Sequence, residues 1–305
     1  WQSGAVVCAN SGTITGCFND GFVEGSSYIG GIVGQNDGTV SYCSFTGTVS
    51  AYSYAGGIAG ETAEGGSHIM ACYNSGTITG RGYYLGGIVG YHYDGTVTDS
   101  YNTGTVVGEN TVGGIVGVNY VAVSNCFNIG DVTCLESNVG GIQGNSEYYA
   151  AVANCYYLAD SETDSLEGTT AVTAEELASG EVAWLLQNQR ETHIWGQTID
   201  EEEYPVFGGE KVYQVNDCQG NSAYSNTDVG GEHVDADNSG RCDVCDTLMQ
   251  PAKICFPSIS MKGNIAINYY TLLSDEVLAD ETAYMQFTMA DGTVKQYPVS
   301  KATPV

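Results

Sequence analysis

Five copies of one glycine pentapeptide constrain the fold of this chain more than any other feature. Gly-Gly-hydrophobic-x-Gly begins at residues 30, 56, 86, 113 and 140, so successive copies are 26, 30, 27 and 27 residues apart. A second motif lies between the copies: Cys or Ser, usually an aromatic residue, often Asn, then x, Gly, x and Val or Ile. One unit of about 27 residues cannot bury its own apolar surface, whereas stacked units bury a continuous column.

Short β-branched stretches make up each repeat, and no segment before residue 170 has a helical apolar period. The sequence therefore predicts a mainly β protein, with a parallel β-solenoid of about five to six repeats. Glycine is expected at corners that need a positive φ or a close backbone approach.

Stacking predicts ladders of equivalent residues about 4.8 Å apart along the solenoid axis. The inward thiol ladder is predicted to be Cys17, Cys43, Cys72, Ser100, Cys126 and Cys155. The aromatic ladder is Phe18, Tyr73, Tyr101, Phe127 and Tyr156, and the amide ladder is Asn19, Asn74, Asn102 and Asn128. The aliphatic ladder is Val23, Val49, Ile78, Val106 and Val132.

These motifs resemble the GLUG repeat of secreted and cell-surface proteins of bacteria, including gut Firmicutes. The Gly-Gly-Ile-Val-Gly segment and the Cys-Tyr-Asn-x-Gly-x-Val pattern carry the resemblance, which covers roughly residues 1 to 160. It implies an extracellular or cell-surface location on a bacterium. It does not imply an activity, because one fold supports many functions.

The composition changes after the repeats and predicts three further segments. Residues 161–212 are expected to form a helix and a strand that cover the open C-terminal end of the solenoid, with Thr173 and Glu176 as a capping box. Residues 213–252 are predicted to be a polar linker, and residues 253–305 a partial antiparallel β-sandwich-like domain. The chain is interpreted as a piece of a longer protein.

The linker contains a candidate Ca²⁺ loop with the oxygen-ligand spacing of an EF-hand. Its predicted ligands are Asp235, Asp237, Ser239, Arg241, Asp243 and Asp246, with Arg241 acting through its backbone carbonyl. A Zn²⁺ site is one alternative, because three Cys and one His suit tetrahedral zinc, and a metal-free turn closed by a disulfide is another. The zinc ligands would be Cys218, His233, Cys242 and Cys245.

The formal net charge of −28 disfavours nucleic acids and anionic membrane surfaces as partners. The sequence has no run of 18 apolar residues, so it predicts no membrane-spanning helix. Recognised protease, esterase and phosphate-loop motifs are absent. Asp94 with Asp99, or Glu61 with Glu64, could form a carboxylate pair for glycoside hydrolysis.

Tyrosines suggest a binding role, because exposed tyrosine can stack on sugars or anchor a protein. They are predicted to lie mainly in variable loops: Tyr52, Tyr54, Tyr83, Tyr84, Tyr91, Tyr93, Tyr120, Tyr148 and Tyr149. The strongest candidate cluster is Tyr83, Tyr84, Tyr91 and Tyr93.

The predicted function is that of a non-enzymatic adhesin or stiff spacer, which binds an extracellular glycan or a surface protein of a host or bacterium. Three alternatives stay open: a polysaccharide-degrading enzyme, the accessory of a carbohydrate-active enzyme, and the spacer of a larger surface peptidase.

Overall fold

The computed structural model describes residues 2–136, 138–147, 150–159, 168–187, 190–217, 219–228, 242, 252–260, 266–273, 284–288 and 292–299. The chain divides into two compact units. The first extends to Gln214 and includes Tyr224–Asp228, and the second comprises Val215–Ala223 and the residues from Val229 onward. The four segment boundaries drawn from composition stay predictions.

The first unit is the predicted parallel β-solenoid, with six coils in its described residues. Each coil contributes in turn to four sheets, named A to D, and hydrogen-bonded neighbours in every sheet come from successive coils. Sheet A receives one long strand from coils 2 and 3 and two short strands from coils 4 to 6.

The strands of each coil, in the order of sheets A to D, have the following bounds. Coil 1 contains Ser3–Gly4, Val7–Asn10, Thr13–Thr15 and Phe18–Asn19; coil 2 contains Phe22–Gly30, Val33–Asn36, Thr39–Ser41 and Ser44–Phe45. Coil 3 contains Thr48–Gly56, Ala59–Thr62, His68–Met70 and Tyr73–Asn74; coil 4 contains Thr77–Gly80, Tyr83–Gly86, Val89–His92, Thr96–Thr98 and Tyr101–Asn102. Coil 5 contains Val106–Gly108, Asn110–Gly113, Val116–Asn119, Ala122–Ser124 and Phe127–Asn128; coil 6 contains Val132–Cys134, Val139–Gly140, Gln143–Ser146, Ala151–Ala153 and Cys155–Leu158.

The aliphatic and thiol ladders are confirmed. The five aliphatic residues pair in register along sheet A and are buried. In the thiol ladder each side chain donates to the carbonyl two residues earlier, as Cys43 Sγ does to Ser41 O at 3.3 Å and Ser100 Oγ to Thr98 O at 2.9 Å. Cys17, in coil 1, is half-buried. These side chains satisfy their own polar groups while filling the core.

The amide ladder is confirmed in coils 3 to 5. Asn74 Nδ2 donates to Asn102 Oδ1 at 2.7 Å, and Asn102 Nδ2 donates to Asn128 Oδ1 at 2.7 Å. Each Oδ1 atom also accepts a hydrogen bond from the glycine N–H two residues later. The prediction is wrong for Asn19, because Phe45 occupies the ladder position in coil 2 and separates Asn19 from Asn74.

The glycines of the pentapeptide allow backbone segments to approach closely. A Cβ at Gly57 would lie 2.7 Å from the Asn74 side chain, so the second glycine accommodates the amide ladder. A Cβ at Gly90 would lie 2.7 Å from the carbonyl carbon of Tyr54, so the last glycine accommodates the corner of the preceding coil.

Glycine has the predicted positive φ at the corner of coil 1, where Gly16 has φ 65°, but not at nine other repeat corners. Those corners are occupied by larger residues with φ between 49° and 63°: Tyr28, Tyr42, Tyr54, Ala71, Tyr84, Asp99, Thr111, Asn125 and Asn154. A left-handed backbone is costly for such residues and persists only where surrounding structure imposes it. Here the parallel strand pairing on both sides of the corners imposes the left-handed backbone.

The segment after the repeats begins with a strand, Thr169–Val172, which pairs with Cys155–Leu158 and extends sheet D. Helix α1 (Ala174–Ala178) follows and has the predicted capping box between Thr173 and Glu176. Gly180, at φ 87°, separates α1 from helix α2 (Glu181–Gln187). Strands Trp195–Gly196 and Val206–Phe207 then form an antiparallel pair.

The helices and the antiparallel pair of this segment cover the flank of the solenoid, which corrects the prediction that they cover its open end. The strand Thr169–Val172 pairs with the last coil at that end. Tyr73, Tyr101 and Phe127 stack on the outer surface of sheet D, with ring centroids 5.1 and 4.9 Å apart. Trp195 and Phe207 pack over this row, so the aromatic ladder is the surface that the segment buries. Phe18 does not join the row, because it pairs with Ser44 and is 60% exposed.

Asp99 anchors this covering segment to the solenoid. The buried carboxylate accepts a hydrogen bond from Trp195 Nε1 at 3.1 Å and forms an ion pair with Arg190 Nη2 at 2.7 Å. A buried charge is tolerated only when it is paired and hydrogen-bonded. Asp99 is therefore a structural residue.

The second unit contains antiparallel pairs, as predicted for the C-terminal segment. Ala252–Ser260 pairs with Ala266–Leu273, and Tyr284–Thr288 pairs with Val294–Pro298. Tyr213–Asn216 and Ser222–Ser225, each of which has residues in both units, form a further two-stranded sheet.

Replacing Asn102 by Ala tests the amide ladder. Asn74 and Asn128 would each lose one of their partners, and the buried Gly104 N–H would lose its acceptor, Asn102 Oδ1. An unsatisfied buried polar group costs about 1–3 kcal/mol. We expect Asn102→Ala to lower the free energy of unfolding by about 2–4 kcal/mol in chemical denaturation. Asn19→Ala is the matched control, since Asn19 has the same ladder position at the half-exposed first coil. Equal losses in both variants would contradict this account.

Candidate ligand-binding surface

Seven tyrosines form one continuous surface on coils 2 to 5. This surface, the tyrosine face, consists of Tyr28, Tyr54, Tyr83, Tyr84, Tyr91, Tyr93 and Tyr120. Three of these residues occupy the same corner in successive coils, two residues before each Gly-Gly pair, and Tyr91 lies on sheet B. The face therefore follows from the register of the solenoid.

Ring contacts connect the whole tyrosine face. Tyr28 stacks on Tyr54 with centroids 4.7 Å apart, and Tyr54 contacts the edge of Tyr91 at 5.6 Å. Tyr91 stacks with Tyr93 at 6.0 Å and contacts Tyr120 at 5.4 Å. Such contacts hold the rings in fixed orientations, so a ligand would meet an ordered aromatic surface.

The four tyrosines predicted to form a binding cluster are brought together by the structure. Tyr83 and Tyr93 are its exposed members, at 54% and 41%. The prediction that these residues lie mainly in loops is wrong, because Tyr83, Tyr84 and Tyr91 belong to strands. Tyr54 and Tyr120 belong to the same cluster.

Sequence reasoning missed Tyr28. The sequence signal that could have identified it is its position two residues before a Gly-Gly pair. Tyr54 and Tyr84 have the same position before the next two Gly-Gly pairs. Tyr148 and Tyr149 lie outside the described residues.

Glu61 is the acidic group within this surface. It pairs in register with Tyr91 and Gln35 on sheet B. Burial and repulsion from Asp37 raise its pKa to about 6 from the ordinary 4.5. Burial, the hydrogen bond with Tyr120 and the charge of Glu61 raise the pKa of Tyr91. The Tyr91 phenol therefore stays neutral at physiological pH, and the face offers hydroxyl groups and ring surfaces.

His92 lies beneath the tyrosine face in the core. Its Nδ1 atom is 2.8 Å from Thr62 Oγ1, and its Nε2 atom is 3.2 Å from the carbonyl oxygen of Ala122. Burial lowers the pKa of His92 to about 4, against weaker opposing effects of Ala122 and Asp94. His92 is therefore a neutral core residue at pH 7 and is unavailable to a ligand.

The candidate carboxylate pair Asp94 and Asp99 is not supported by the geometry. Asp99 is occupied by Trp195 and Arg190, whereas Asp94 accepts hydrogen bonds from the N–H groups of Gly65 and Gly66. Glu64, the candidate partner of Glu61, is exposed. Among the described residues, no three His, Cys, Asp or Glu side chains form a group that could hold a metal ion.

The predicted metal ligands lie outside the described residues, with the exception of Cys242, which is buried. Asp235, Asp237, Ser239, Arg241, Asp243 and Asp246 stay a predicted Ca²⁺ site, and Cys218, His233, Cys242 and Cys245 stay its Zn²⁺ alternative. In the part of the chain that is described, no helix has the length and apolar character needed to span a membrane.

Comparison with known proteins identifies the repeat. Residues 25–50 and 81–107 match a sequence family described as the GLUG motif, so the chain carries GLUG repeats, as its residues indicated. A crystal structure of a candidate immunoglobulin A1 protease from Bacteroides ovatus is 24% identical, covers 67% of this chain and 74% of that chain, and has a TM-score of 0.49. No curated protein matches the chain at a significant level.

Replacing His92 by Asn tests the buried neutral imidazole. Unfolding raises the pKa of His92 from about 4 to about 6.5. The free energy of unfolding therefore decreases as pH falls from 6.5 toward 4, by up to about 3 kcal/mol. Asn36 and Asn119 occupy the same register position, so Asn is compatible with the site. We expect His92→Asn to reduce the stability loss between pH 7 and pH 5, measured by denaturation. An unchanged pH dependence would show that His92 is not its source.

Proposed function

We propose that this chain is a non-enzymatic extracellular repeat protein that binds a neutral glycan through its tyrosine face. The observation that carries the proposal is the continuous cluster of seven tyrosines in ring contact on coils 2 to 5. Flat aromatic rings suit the C–H surfaces of sugars, and phenolic hydroxyls suit sugar hydroxyls.

The charge of the surface supports a neutral ligand. Glu61 lies in the tyrosine face, and the whole chain has a formal net charge of −28. An anionic ligand would therefore be repelled from this surface, whereas a neutral glycan would not.

The stacked coils support a role in display. The parallel hydrogen bonds of four sheets run between successive coils, so the tyrosines are held on a continuous column. Rigid presentation lowers the entropy lost on binding. GLUG repeats are typical of secreted and cell-surface bacterial proteins, which favours attachment of a bacterium to glycans of a host or of other bacteria.

A triple variant tests the tyrosine face. Tyr84→Thr, Tyr91→Val and Tyr93→Ala each introduce the residue that another coil has at the same position, namely Thr111, Val118 and Ala63. We expect the triple variant to bind neutral host and plant glycans on an array at least tenfold more weakly, which corresponds to about 1.4 kcal/mol. Calorimetry with the strongest glycan would measure the change.

Tyr42→Asn is the matched control. Tyr42 is 58% exposed at another corner, where coils 5 and 6 have Asn125 and Asn154. The control should bind like the wild-type chain. Equal weakening in the control, or the absence of any glycan ligand, would overturn the proposal. Release of new reducing ends would overturn the non-enzymatic assignment, and binding of a surface protein alone would replace glycan as the ligand.

We also propose that the loop from Asp235 to Asp246 binds one Ca²⁺ ion, on the spacing of its oxygen ligands. Calorimetric titration should give one Ca²⁺ per chain, and Asp237→Asn should abolish this binding. Asp228→Asn, outside the loop, is the control. Tightly bound zinc in the purified chain, lost in Cys242→Ser, would instead establish the Zn²⁺ site.

A further inference from the structure

The segment that covers sheet D contains a groove of about 410 Å³, a size within the range of small-ligand sites. One side is formed by α2 and the residues after it, which contribute Trp184, Gln187 and Arg190. The other side is formed by the segment 211–214, which contributes Lys211 and Tyr213. All of these residues belong to the first unit.

Two of the few basic side chains of the first unit lie at this groove. Between residues 1 and 228 the sequence has three basic residues, Arg81, Arg190 and Lys211, and two of them line the groove. In a chain with a formal net charge of −28, such a concentration makes the groove a place where an anionic group can be held.

The two basic side chains have different environments. Arg190 is fixed by its ion pair with Asp99 and by hydrogen bonds from its guanidinium to the carbonyls of Leu186 and Gln187. Lys211 is exposed, and its Nζ atom lies 4.4 Å from the centroid of the Tyr213 ring. Lys211 makes no ion pair with the described residues, so its charge is available to a ligand.

Two aromatic rings line the groove with this ammonium group. Tyr213 lies beneath it, and Trp184 lines the same groove and is held by a tilted contact with Tyr224 at 5.9 Å. Gln187 is satisfied by backbone partners, since its Nε2 atom donates to the carbonyls of Arg190 and Thr192. The groove therefore presents one uncompensated cation beside two flat apolar surfaces.

We propose that this groove binds an acidic sugar, with Lys211 pairing with the carboxylate and Trp184 packing against the sugar ring. A carboxylate satisfies the ammonium group, and an aromatic ring suits the C–H surface of a pyranose. The site is separate from the tyrosine face, whose carboxylate Glu61 would disfavour the same ligand.

Isothermal titration calorimetry of the full chain with trigalacturonic acid and sialyllactose tests this site. Lactose is the neutral control ligand, and polyglutamate is the acidic peptide control. In the full chain that carries the triple variant of the tyrosine face, we expect at least one acidic sugar to bind at least tenfold more tightly than lactose and polyglutamate. Lys211→Gln should weaken that binding at least fivefold, whereas Lys295→Gln, which removes the same charge elsewhere, should leave it unchanged.

Three variants separate the possible outcomes. The triple variant of the tyrosine face should keep the acidic sugar, so failure of one site does not imply failure of the other. Trp184→Phe, which preserves an aromatic surface, should retain binding, whereas Trp184→Ala should lose it, with circular dichroism confirming the fold of each variant. Equal binding of lactose or polyglutamate by the triple variant would overturn the proposal, as would no binding of either acidic sugar or equal weakening by Lys295→Gln.

Discussion

Close approach of backbone at the pentapeptide glycines is the constraint on which the solenoid depends. A side chain at Gly57 or Gly90 would meet the amide ladder or the backbone of a neighbouring corner. With these glycines in place, successive coils pair in register on four sheets. The buried amides of Asn74, Asn102 and Asn128 then hydrogen-bond along the axis.

In-register stacking also determines the two surfaces of the solenoid that carry aromatic side chains. On sheet D the row of Tyr73, Tyr101 and Phe127 is buried by Trp195 and Phe207, so its aromatic area stabilises the fold. At the corner before sheet B, Tyr28 and Tyr54 stack without such a cover and remain partly exposed. The same periodicity thus produces a structural aromatic row and a candidate binding face.

The candidate site was partly predictable from sequence. Tyr83, Tyr84, Tyr91 and Tyr93 could be grouped because they are close along the chain. Tyr28 could not be grouped with them by proximity, because its neighbours come from other coils and only the repeat register brings them together. The groove at Trp184 and Lys211 was not predictable either, since α2 and the segment 211–214 meet only in the tertiary structure.

The repeated Gly-Gly and Cys-x-Asn patterns by themselves determined a parallel solenoid, its aliphatic column and its amide ladder, because every coil must satisfy the same stacking geometry. Only the tertiary structure decided which residues take the left-handed corners and which surface the helices cover. The corner backbone is imposed by pairing with neighbouring coils. The covering segment lies on the flank because sheet D offers a row of aromatic side chains there, with Asp99 to anchor Trp195 and Arg190.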